Sequence, residues 1–340
     1  MNGTIERLET LELHTGLACD LRCTFCFRRG HVYEPQGGML SRDRRRDAID
    51  EFAAMDGRKL IVSGGLEPFS CPEATCDTIV RGRRAGLDVN VYSNAVAPAL
   101  SRDDVRWTVA DRATRVRFSI HAMHERTFRQ IARPASPGAT FQQAAENVRR
   151  VLASRPRAGG ASVGVAFLVL PANAGELVEA AWFWRDMGVD FFDVRCDMAF
   201  GGSVGRTVQD ALDAFRRQER SGALGPMRTH VRDLAQTEAP HAPECRAPQA
   251  KLVVDPFGLV WTCCRLAHPG LRPSWSRLGN LRTETLREVV ARVHRRLPIR
   301  HCDACTWWEA NYNLKAYQAV WPHLAAPASP QCPPPTQACT

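Results

Sequence analysis

Three cysteines near the start of the chain are the first residues whose type and spacing point to a reaction. Cys19, Cys23 and Cys26 follow the pattern Cys-x3-Cys-x2-Cys, with an aromatic residue just before the third. Three thiolates on one loop can bind three irons of a [4Fe–4S] cube and leave the fourth iron without a protein ligand. An open iron can bind and activate a small molecule, whereas a fully ligated cluster mainly transfers electrons. The alternative is a structural zinc ion, for which His14 or His31 would supply a fourth ligand.

A second group of cysteines lies in the last third of the chain. Twelve residues separate Cys245 from Gly258, four separate Gly258 from Cys263, and Cys302 and Cys305 form a Cys-x2-Cys pair. Four thiolates are enough for a second, fully ligated iron–sulfur cluster or for a zinc ion. The spacing alone does not choose between these two.

Composition predicts a globular, cytoplasmic protein. The 340 residues are 44% hydrophobic and 24% charged, and no run approaches the roughly 18 apolar residues of a membrane span. The first residues form neither a basic nor an apolar segment, so we expect no secretory signal. The thirteen cysteines are an odd number, and in a reducing cytoplasm clustered cysteines are more often metal ligands or catalysts than disulfides.

The net charge of +9 comes from arginine, because 42 of the 45 lysines and arginines are arginine. These arginines are spread along the chain, and we interpret most of them as solvated helix faces. The alternative is a basic cleft that favours an anionic small substrate. A nucleic-acid-modifying enzyme would bring more lysine and a recognisable binding appendage. We therefore expect a small-molecule substrate, with neither a nucleic-acid nor a membrane partner.

The hydrophobic pattern predicts an α/β fold, because short β-branched runs alternate with amphipathic stretches along residues 8–230. The predicted barrel domain covers residues 8–220. The predicted strands are 8–14, 59–63, 88–93, 115–121, 162–170 and 190–196. The predicted helices are 41–55, 73–85, 101–110, 141–153 and 174–187. Six such units with right-handed crossovers indicate a partial (β/α)6 TIM-like barrel with its helices outside.

Beyond residue 220 the pattern changes. A β-hairpin and a helix in residues 240–322 predict a small C-terminal domain around the second group of cysteines. Residues 325–340 are rich in proline and predict a disordered tail.

The chain resembles the radical S-adenosylmethionine (SAM) superfamily over roughly residues 8–200. The resemblance rests on the cysteine loop and on Ser63-Gly64-Gly65-Leu66-Glu67-Pro68 after the second predicted strand. In this family the three cysteines bind a [4Fe–4S] cluster, whose open iron binds the amino and carboxylate groups of SAM. Reductive cleavage then gives methionine and a 5′-deoxyadenosyl radical. The resemblance implies SAM as the cofactor and a flavodoxin- or ferredoxin-type protein as the electron donor.

The glycine-rich segment departs from the family pattern Gly-Gly-Glu-Pro by the inserted Leu66. Glycines suit this position because a backbone must approach the methionyl group of SAM without a Cβ in the way. The insertion leaves open whether Gly65 or Glu67 meets the SAM amino group. Gly64 is the third residue of this segment that the resemblance assigns to cofactor binding.

The resemblance assigns further SAM contacts to the ends of later strands, where barrel chemistry concentrates. Ser93 and Asn94 match the segment near the SAM ribose, and Ser119 matches a fourth-strand serine that often contacts SAM. Arg133 precedes a helix start and could pair with the SAM carboxylate. The alternative for Arg133 is an ordinary surface residue.

At the end of the sixth predicted strand, one of Arg195 and Cys196 should face the barrel interior, because strand side chains alternate. We assign Arg195 to cofactor binding and Cys196 to catalysis. An interior thiol could donate a hydrogen atom to a substrate radical, as in some epimerases of the family. The alternative is that Cys196 is a small buried hydrophobe.

The second group of cysteines resembles the auxiliary-cluster domain called SPASM, or its shortened form, twitch. The match covers Cys-x12-Gly-x4-Cys, a Gly279-Asn280-Leu281 turn, a helix and Cys-x2-Cys. The longer form continues with further cysteines, whereas here the next is Cys332 in the tail. The resemblance therefore implies twitch and one auxiliary [4Fe–4S] cluster, with Cys264 as a rival ligand to Cys263. The implied ligands are Cys245, Cys263, Cys302 and Cys305.

We expect an enzyme that removes a hydrogen atom from a sugar, aminocyclitol or nucleoside intermediate of natural-product (antibiotic) biosynthesis. The outcome would be an oxidation, with the auxiliary cluster accepting an electron, or a redox-neutral reaction. The alternatives are an epimerase, decarboxylase or lyase acting on a carboxylated or phosphorylated sugar nucleoside, and a peptide-modifying maturase. A two-cluster electron carrier would need neither an open iron nor the glycine-rich loop.

Overall fold

A computed structural model of the chain describes residues 8–26, 28, 37–63, 65–196, 205–231, 244–267, 274–296 and 299–300. The strands within these residues are β1 (Thr10–His14), β2 (Lys59–Ser63), β3 (Asp88–Ser93), β4 (Arg115–Ser119), β5 (Ser162–Val169), β6 (Phe191–Cys196), β7 (Arg228–Val231), β8 (Glu244–Cys245), β9 (Lys251–Val254), β10 (Leu259–Trp261), β11 (Arg277–Asn280) and β12 (Ile299–Arg300). The helices are α1 (Arg42–Ala54), α2 (Pro72–Arg84), α3 (Asp103–Arg112), α4 (Glu125–Ala132), α5 (Phe141–Ala153), α6 (Leu177–Met187), α7 (Arg206–Arg220), α8 (Ala247–Ala250) and α9 (Leu286–Arg296). None of the helices in these ranges is long and apolar enough to cross a membrane.

Ten strands form one sheet in the order β11-β10-β9-β1-β2-β3-β4-β5-β6-β7. Every neighbouring pair from β9 to β7 is parallel, whereas β10 pairs in antiparallel fashion with both β9 and β11. In the described part of the chain, the end strands β11 and β7 do not pair with each other, so the sheet is not closed. The predicted α/β fold with a large parallel sheet is confirmed.

The structure adds two parallel strands to the six that the sequence predicts. One is β7, which lies with α7 in a region whose glycines and polar residues hide the pattern. The other is β9, the first strand of the predicted hairpin, which pairs in parallel with β1 from Thr10↔Lys251 to Leu13↔Val254. A hydrophobic pattern indicates a strand but not its partner, because pairing depends on distant contacts. The predicted domain boundaries stay predictions, and residues 301–340 lie outside the described residues.

Local signals set the ends of several elements. The hydroxyl of Ser41 accepts a hydrogen bond from the Arg44 amide (3.2 Å) at the start of α1, as expected for a helix N-cap. The β9–β10 hairpin turns at Asp255, whose carboxylate accepts from the amides of Phe257 (2.9 Å) and Leu259 (3.1 Å). Gly258 has a φ of +91° in this turn, a conformation that glycine adopts without strain.

Alternating side chains give the parallel sheet two different faces. One face packs against the helices, and its residues belong to a continuous apolar core that includes Leu11, Val62, Val91, Phe118 and Phe192. The other face carries the intervening residues, and we call it the inner face. It holds several polar and charged side chains: Glu12, Ser63, Tyr92, Arg117, Asp193 and Arg195.

A substitution in β5 tests the close approach of β5 and β6. A Cβ on Gly164 would lie 2.3 Å from the carbonyl oxygen of Phe191 and 2.4 Å from its ring. We expect Gly164→Ala to lower the free energy of unfolding by about 1–3 kcal/mol or more, because backbone atoms must shift. Thermal or denaturant unfolding measures the loss. The control is Gly138→Ala, since nothing lies within 4 Å of a Cβ there, and equal stability of both variants would contradict the prediction.

Candidate functional site

The three predicted cluster ligands lie on the loop that follows β1, at the carboxyl edge of the parallel strands. We call residues 19–26 the cysteine loop. Backbone hydrogen bonds tie this loop to the end of α4, because the amides of Arg22 and Thr24 donate to the carbonyls of Ala132 (2.9 Å) and Ile131 (2.9 Å). The sheet therefore fixes one end of the loop and α4 fixes its middle.

The three thiols of the cysteine loop are partly buried. Burial raises the pKa of the Cys19 thiol to about 12. Burial also raises the pKa of Cys23, and the nearby thiols of Cys26 and Cys19 raise it further. Thiolates in this loop would repel one another with little water to screen them, so they need a bound cation. The irons of a cluster supply that positive charge, and the donor set therefore fits the predicted [4Fe–4S] cluster.

A single metal ion fits the described residues less well. Among them, no three His, Cys, Asp or Glu side chains lie close enough together to hold one ion. Zinc gathers its sulfur ligands around one centre at about 2.3 Å, whereas each cysteine of an iron–sulfur cube binds a different iron. His31, one of the two residues considered as a fourth zinc ligand, lies outside the described residues.

Glu67 connects the loops that follow β2 and β3. Its buried carboxylate accepts hydrogen bonds at Oε2 from the Asn94 amide (2.8 Å) and at Oε1 from the Ser93 hydroxyl (2.8 Å) and the Phe69 amide (3.2 Å). Burial raises the pKa of Glu67 to about 7, although these three donors oppose the rise. Both carboxylate oxygens are thus bound by groups of the protein itself.

The backbone of Glu67 also holds the residues that lead into the cysteine loop. Its amide donates to the carbonyl of Ala18 (2.9 Å), and the amides of Leu17 and Ala18 both donate to the hydroxyl of Ser70 (3.1 and 3.2 Å). A Cβ on Gly16 would lie 1.9 Å from the Glu67 carbonyl oxygen. A glycine at position 16 is therefore needed for the two loops to meet.

Asn94 links the loop after β3 to the cysteine loop. Its Nδ2 donates to the sulfur of Cys19 at 3.5 Å, and its Oδ1 accepts from the Val96 amide at 2.9 Å. The amide of Leu21 donates to the same sulfur at 3.5 Å. Hydrogen bonds to the sulfur ligands are among the features that tune an iron–sulfur cluster. Asn94, predicted to lie near the SAM ribose, therefore also contacts a predicted cluster ligand.

The remaining predicted SAM contacts lie at the same edge of the sheet. Ser93 ends β3 and donates its hydroxyl to Glu67, while Ser119 ends β4 and is half-buried. Arg133 is exposed and caps α4 with a left-handed φ of 47°. Its carbonyl accepts from the Arg22 amide (3.1 Å), which places it beside the cysteine loop. Gly64 lies outside the described residues.

Arg195 and Cys196 take opposite faces of β6. Cys196 is buried in the apolar core together with Val194 and Phe192, on the side that packs against the helices. Arg195 consequently lies on the inner face. The predicted hydrogen-donor role requires an interior thiol, whereas this placement is the one expected of a small buried hydrophobe.

A buried ionic group on the inner face joins β1 to β9. Glu12 accepts from Ser63 (2.8 Å) and contacts His14 Nε2 (3.1 Å) and Lys251 Nζ (2.9 Å). Burial alone would raise the pKa of Glu12, but Lys251 and His14 outweigh it and hold the pKa well below its ordinary value. The carboxylate is therefore ionised and ties the C-terminal hairpin to the barrel sheet.

A second polar group lies on the inner face near the cysteine loop. His121 Nδ1 accepts from the Leu168 amide (3.0 Å), and its ring meets the ring of Phe25 edge-on with centroids 5.0 Å apart. Burial, together with the charges of Arg195 and Arg117, lowers the pKa of His121 to about 3. His121 is therefore neutral at pH 7.

Four polar residues of the inner face are not recognisable as site residues from the sequence: Glu12, Arg117, His121 and Lys251. The available signal was a polar residue at alternate positions of an otherwise apolar strand, which is costly to bury unless it is paired or functional. That signal identifies the face but not the neighbours of each residue.

The second group of cysteines is only partly within the described residues. Cys263 is buried in the turn after β10, and Cys245 lies in β8, where it pairs with Ile299 of β12. This pairing brings Cys245 close in space to the segment that leads into Cys302. Cys302 and Cys305 lie outside the described residues, so the predicted auxiliary cluster stays a prediction.

Comparison with known proteins gives the class of protein. Residues 13–181 match the Radical SAM superfamily. The chain belongs to this superfamily of enzymes, as the cysteine loop and the open parallel sheet indicate.

A curated relative is dTDP-4-amino-4,6-dideoxy-D-glucose ammonia-lyase from Streptomyces venezuelae, 28% identical over 232 residues. The match covers 63% of this chain and 46% of the relative, so the chain spans about half the length of the curated relative it matches.

Two solved structures share the fold. Streptococcus suis SuiB bound to S-adenosylmethionine has a TM-score of 0.63 at 12% identity, covering 84% of this chain and 65% of that chain. Native anSMEcpe with bound AdoMet has a TM-score of 0.62 at 14% identity, covering 92% of this chain and 96% of that chain. At these identities the likeness shows the fold alone.

The pH dependence of stability tests the environment of His121. The imidazole of an unfolded chain takes up a proton below about pH 6.5, whereas the folded ring resists protonation until about pH 3. The folded state therefore loses stability as the pH falls below about 6.5, by up to about 1.4 kcal/mol per pH unit. We expect His121→Gln to reduce the fall in melting temperature between pH 7.5 and pH 5.5.

The control for this experiment is His124→Gln, because the His124 side chain is half-exposed. Acid loss of the cluster affects all three proteins and cancels when their anaerobic melting curves are compared. The same slope in the wild type and in His121→Gln would contradict the proposed environment.

Proposed function

We propose that this chain binds a [4Fe–4S] cluster on the cysteine loop and uses it to cleave SAM reductively. When bound, the cluster and SAM supply a 5′-deoxyadenosyl radical that removes a hydrogen atom from the substrate. Cys19, Cys23 and Cys26 would hold the cluster. The observation that carries the proposal is the network in which Glu67 and Asn94 join the loops after β2 and β3 to the cysteine loop.

The same network bears on which of Gly65 and Glu67 contacts the amino group of SAM. Both carboxylate oxygens of Glu67 accept hydrogen bonds from its own protein. Gly65 has a φ of +60° and no side chain, so its backbone can approach a ligand closely. We therefore assign the backbone contact with the SAM amino group to Gly65. Glu67 is a positioning residue that holds the loop around it.

The proposed substrate is a sugar that carries a nucleotide or another phosphorylated group. The name of the curated relative describes an ammonia-lyase for a dTDP-linked amino sugar, and the inner face of this chain carries Arg117 and Arg195. The protein's part is to bind this substrate, orient one C–H bond and exclude water, because the cofactor carries the chemistry. The part of the inner face that adjoins the cysteine loop would bind and orient the substrate.

The proposed reaction class is an elimination or an oxidation of that sugar. An elimination is redox-neutral and needs no further electron acceptor. An oxidation needs one, and the proposed auxiliary [4Fe–4S] cluster of Cys245, Cys263, Cys302 and Cys305 would accept the electron. A flavodoxin- or ferredoxin-type protein is the proposed donor for the first cluster.

Replacing the cysteine loop ligands tests the first step. We expect the protein with Cys19, Cys23 and Cys26 all changed to Ala to bind about four irons fewer than the wild type. It should form no 5′-deoxyadenosine from SAM and dithionite. The control is Cys71→Ala, a partly buried free cysteine outside both groups. Unchanged iron content in the triple variant would refute the assignment.

Product analysis tests the substrate class. Anaerobic incubation with SAM, dithionite and a dTDP-linked 4-amino-4,6-dideoxy sugar should raise 5′-deoxyadenosine above the substrate-free level. Mass spectrometry and ammonia release then distinguish elimination from oxidation. The matched comparison is the same sugar without its nucleotide, for which we expect little stimulation. If no sugar of this class raises 5′-deoxyadenosine above the substrate-free level, the proposed substrate class is wrong.

A further inference from the structure

We propose that Asn94 raises the reduction potential of the cluster on the cysteine loop, by donating a hydrogen bond to the sulfur of Cys19. Asn147 on α5 holds the loop that carries Asn94. Both are positioning residues in this role, because Asn94 acts through Cys19 and Asn147 acts through the loop after β3. The inference rests on the proposed function, since it concerns the cluster that Cys19 would help to hold.

The hydrogen bonds of Asn94 define which end of its side chain faces the sulfur. Its Oδ1 accepts from the Val96 amide at 2.9 Å, and its Nδ2 lies 3.5 Å from the sulfur of Cys19. A backbone amide only donates, so the atom that meets Val96 must be the oxygen and the atom that meets the sulfur must be the nitrogen. The backbone amide of Asn94 donates to Glu67 at 2.8 Å. Main chain and side chain are therefore both fixed, with an N–H directed at the sulfur.

The residue after Asn94 is held in a conformation that its own preferences disfavour. Ala95 has a φ of +68°, in the left-handed region where a residue with a Cβ is strained. Such strain persists only where the surroundings fix it, and it is concentrated at functional sites. The Ala95 amide donates to the Ser93 hydroxyl at 3.1 Å, and the Ala95 carbonyl accepts from Asn147 Nδ2 at 2.8 Å. These two hydrogen bonds hold Ala95 from both sides.

Asn147 is a fully buried polar residue on a helix that otherwise buries apolar side chains such as Val148 and Val151. A buried amide is costly unless its groups are hydrogen-bonded. Here Oδ1 accepts from Gln143 Nε2 at 3.0 Å on the same helix, while Nδ2 reaches Ala95 in the loop after β3. An apolar residue would suit the packing of this helix face, so the contact with Ala95 accounts for the asparagine.

The direction of the effect follows from charge. Reduction adds one electron to a cluster, and part of the added negative charge lies on its sulfur ligands. An N–H that points at a ligand sulfur stabilises the more negative, reduced form, so it raises the reduction potential. Cys19 is partly buried, so little water competes for its sulfur. The Leu21 amide donates to the same sulfur at 3.5 Å, and this second donor remains when Asn94 is replaced.

A redox titration followed by electron paramagnetic resonance tests the inference on the reconstituted full-length protein without SAM. The signal to follow is the one missing from the protein with Cys19, Cys23 and Cys26 all changed to Ala. A hydrogen bond of ordinary net strength alters an equilibrium by about two- to tenfold. We expect Asn94→Leu to lower the ratio of reduced to oxidised cluster at a fixed potential by about this factor. Tenfold corresponds to about 59 mV for one electron.

Two further variants separate a charge effect from a loss of packing. Asn94→Asp keeps the shape of the side chain but places an oxygen against the sulfur, so it should lower the ratio more than Asn94→Leu does. It also tests the inference if Asn94→Leu fails to take up iron. Asn147→Leu should lower the ratio by a smaller factor than Asn94→Leu, because the loop loosens while the Asn94 side chain remains.

The matched control is Asn90→Leu, the same substitution at a partly buried position on β3 that is farther from the cysteine loop. Its reduction potential should equal that of the wild type. Equal potentials in the wild type and both Asn94 variants would overturn the inference, as would an equal fall in Asn90→Leu. An unchanged potential in Asn147→Leu would refute the role of Asn147.

The SAM ribose is the other partner that the family resemblance assigns to Asn94. Because the titration contains no SAM, a shift in potential cannot come from a lost contact with the ribose. Weaker SAM binding by Asn94→Leu with an unchanged potential would assign Asn94 to SAM alone and overturn the inference.

The wild type separates this inference from the proposed function. If the wild type binds the cluster and cleaves SAM while the Asn94 variants keep its potential, only the role of Asn94 is wrong. If the wild type shows no cluster signal that depends on the three cysteines, the proposed function itself fails.

Discussion

The buried carboxylate of Glu67 is the interaction on which the candidate site depends. It accepts from the hydroxyl of Ser93 at the end of β3 and from the amide of Asn94 just after it. The Glu67 amide donates to Ala18, which leads into the cysteine loop. A buried carboxylate is costly unless several donors satisfy it, and here three do. Because the same residue touches three loops, their relative positions are set together. Flexible loops that must bind one cluster and one cofactor gain their common geometry in this way.

The fold was predictable where local pattern determines structure. Ser41 begins α1 as a capping residue should, and six strands appear within a few residues of their predicted positions. β7 and the partner of β9 were not predictable, because glycine-rich flanks hide the first and long-range pairing determines the second. The cysteine loop could be recognised since its ligands are adjacent in sequence. The hydrogen bond between His121 and Leu168 could not, since it depends on the pairing of two strands that are distant in sequence.

Adjacent side chains of β6 lie on opposite faces of the sheet, so neighbouring residues have different roles. Arg195 and Cys196 are neighbours in sequence, and the sequence alone permits either to face the interior. Packing of the apolar core determines which of the two faces the interior. Phe192, Val194 and Cys196 share one face and pack with α7 residues such as Phe215. Moving the strand by one residue would bury a guanidinium among apolar side chains, which is strongly unfavourable. Packing of the apolar core therefore places Arg195 on the inner face.

The order of the strands also relates Cys263, one member of the second group of cysteines, to the first group. Because β9 pairs with β1, the hairpin that carries Cys263 lies next to the strand that leads into the cysteine loop. Arg28, which follows that loop, is buried and donates to the carbonyl of Cys264 at 3.3 Å. Lys251 and Glu12 add a buried ion pair at the same boundary. The hairpin thus shares a sheet, an ion pair and a hydrogen bond with the barrel, so its cysteines hold a defined position relative to the first group.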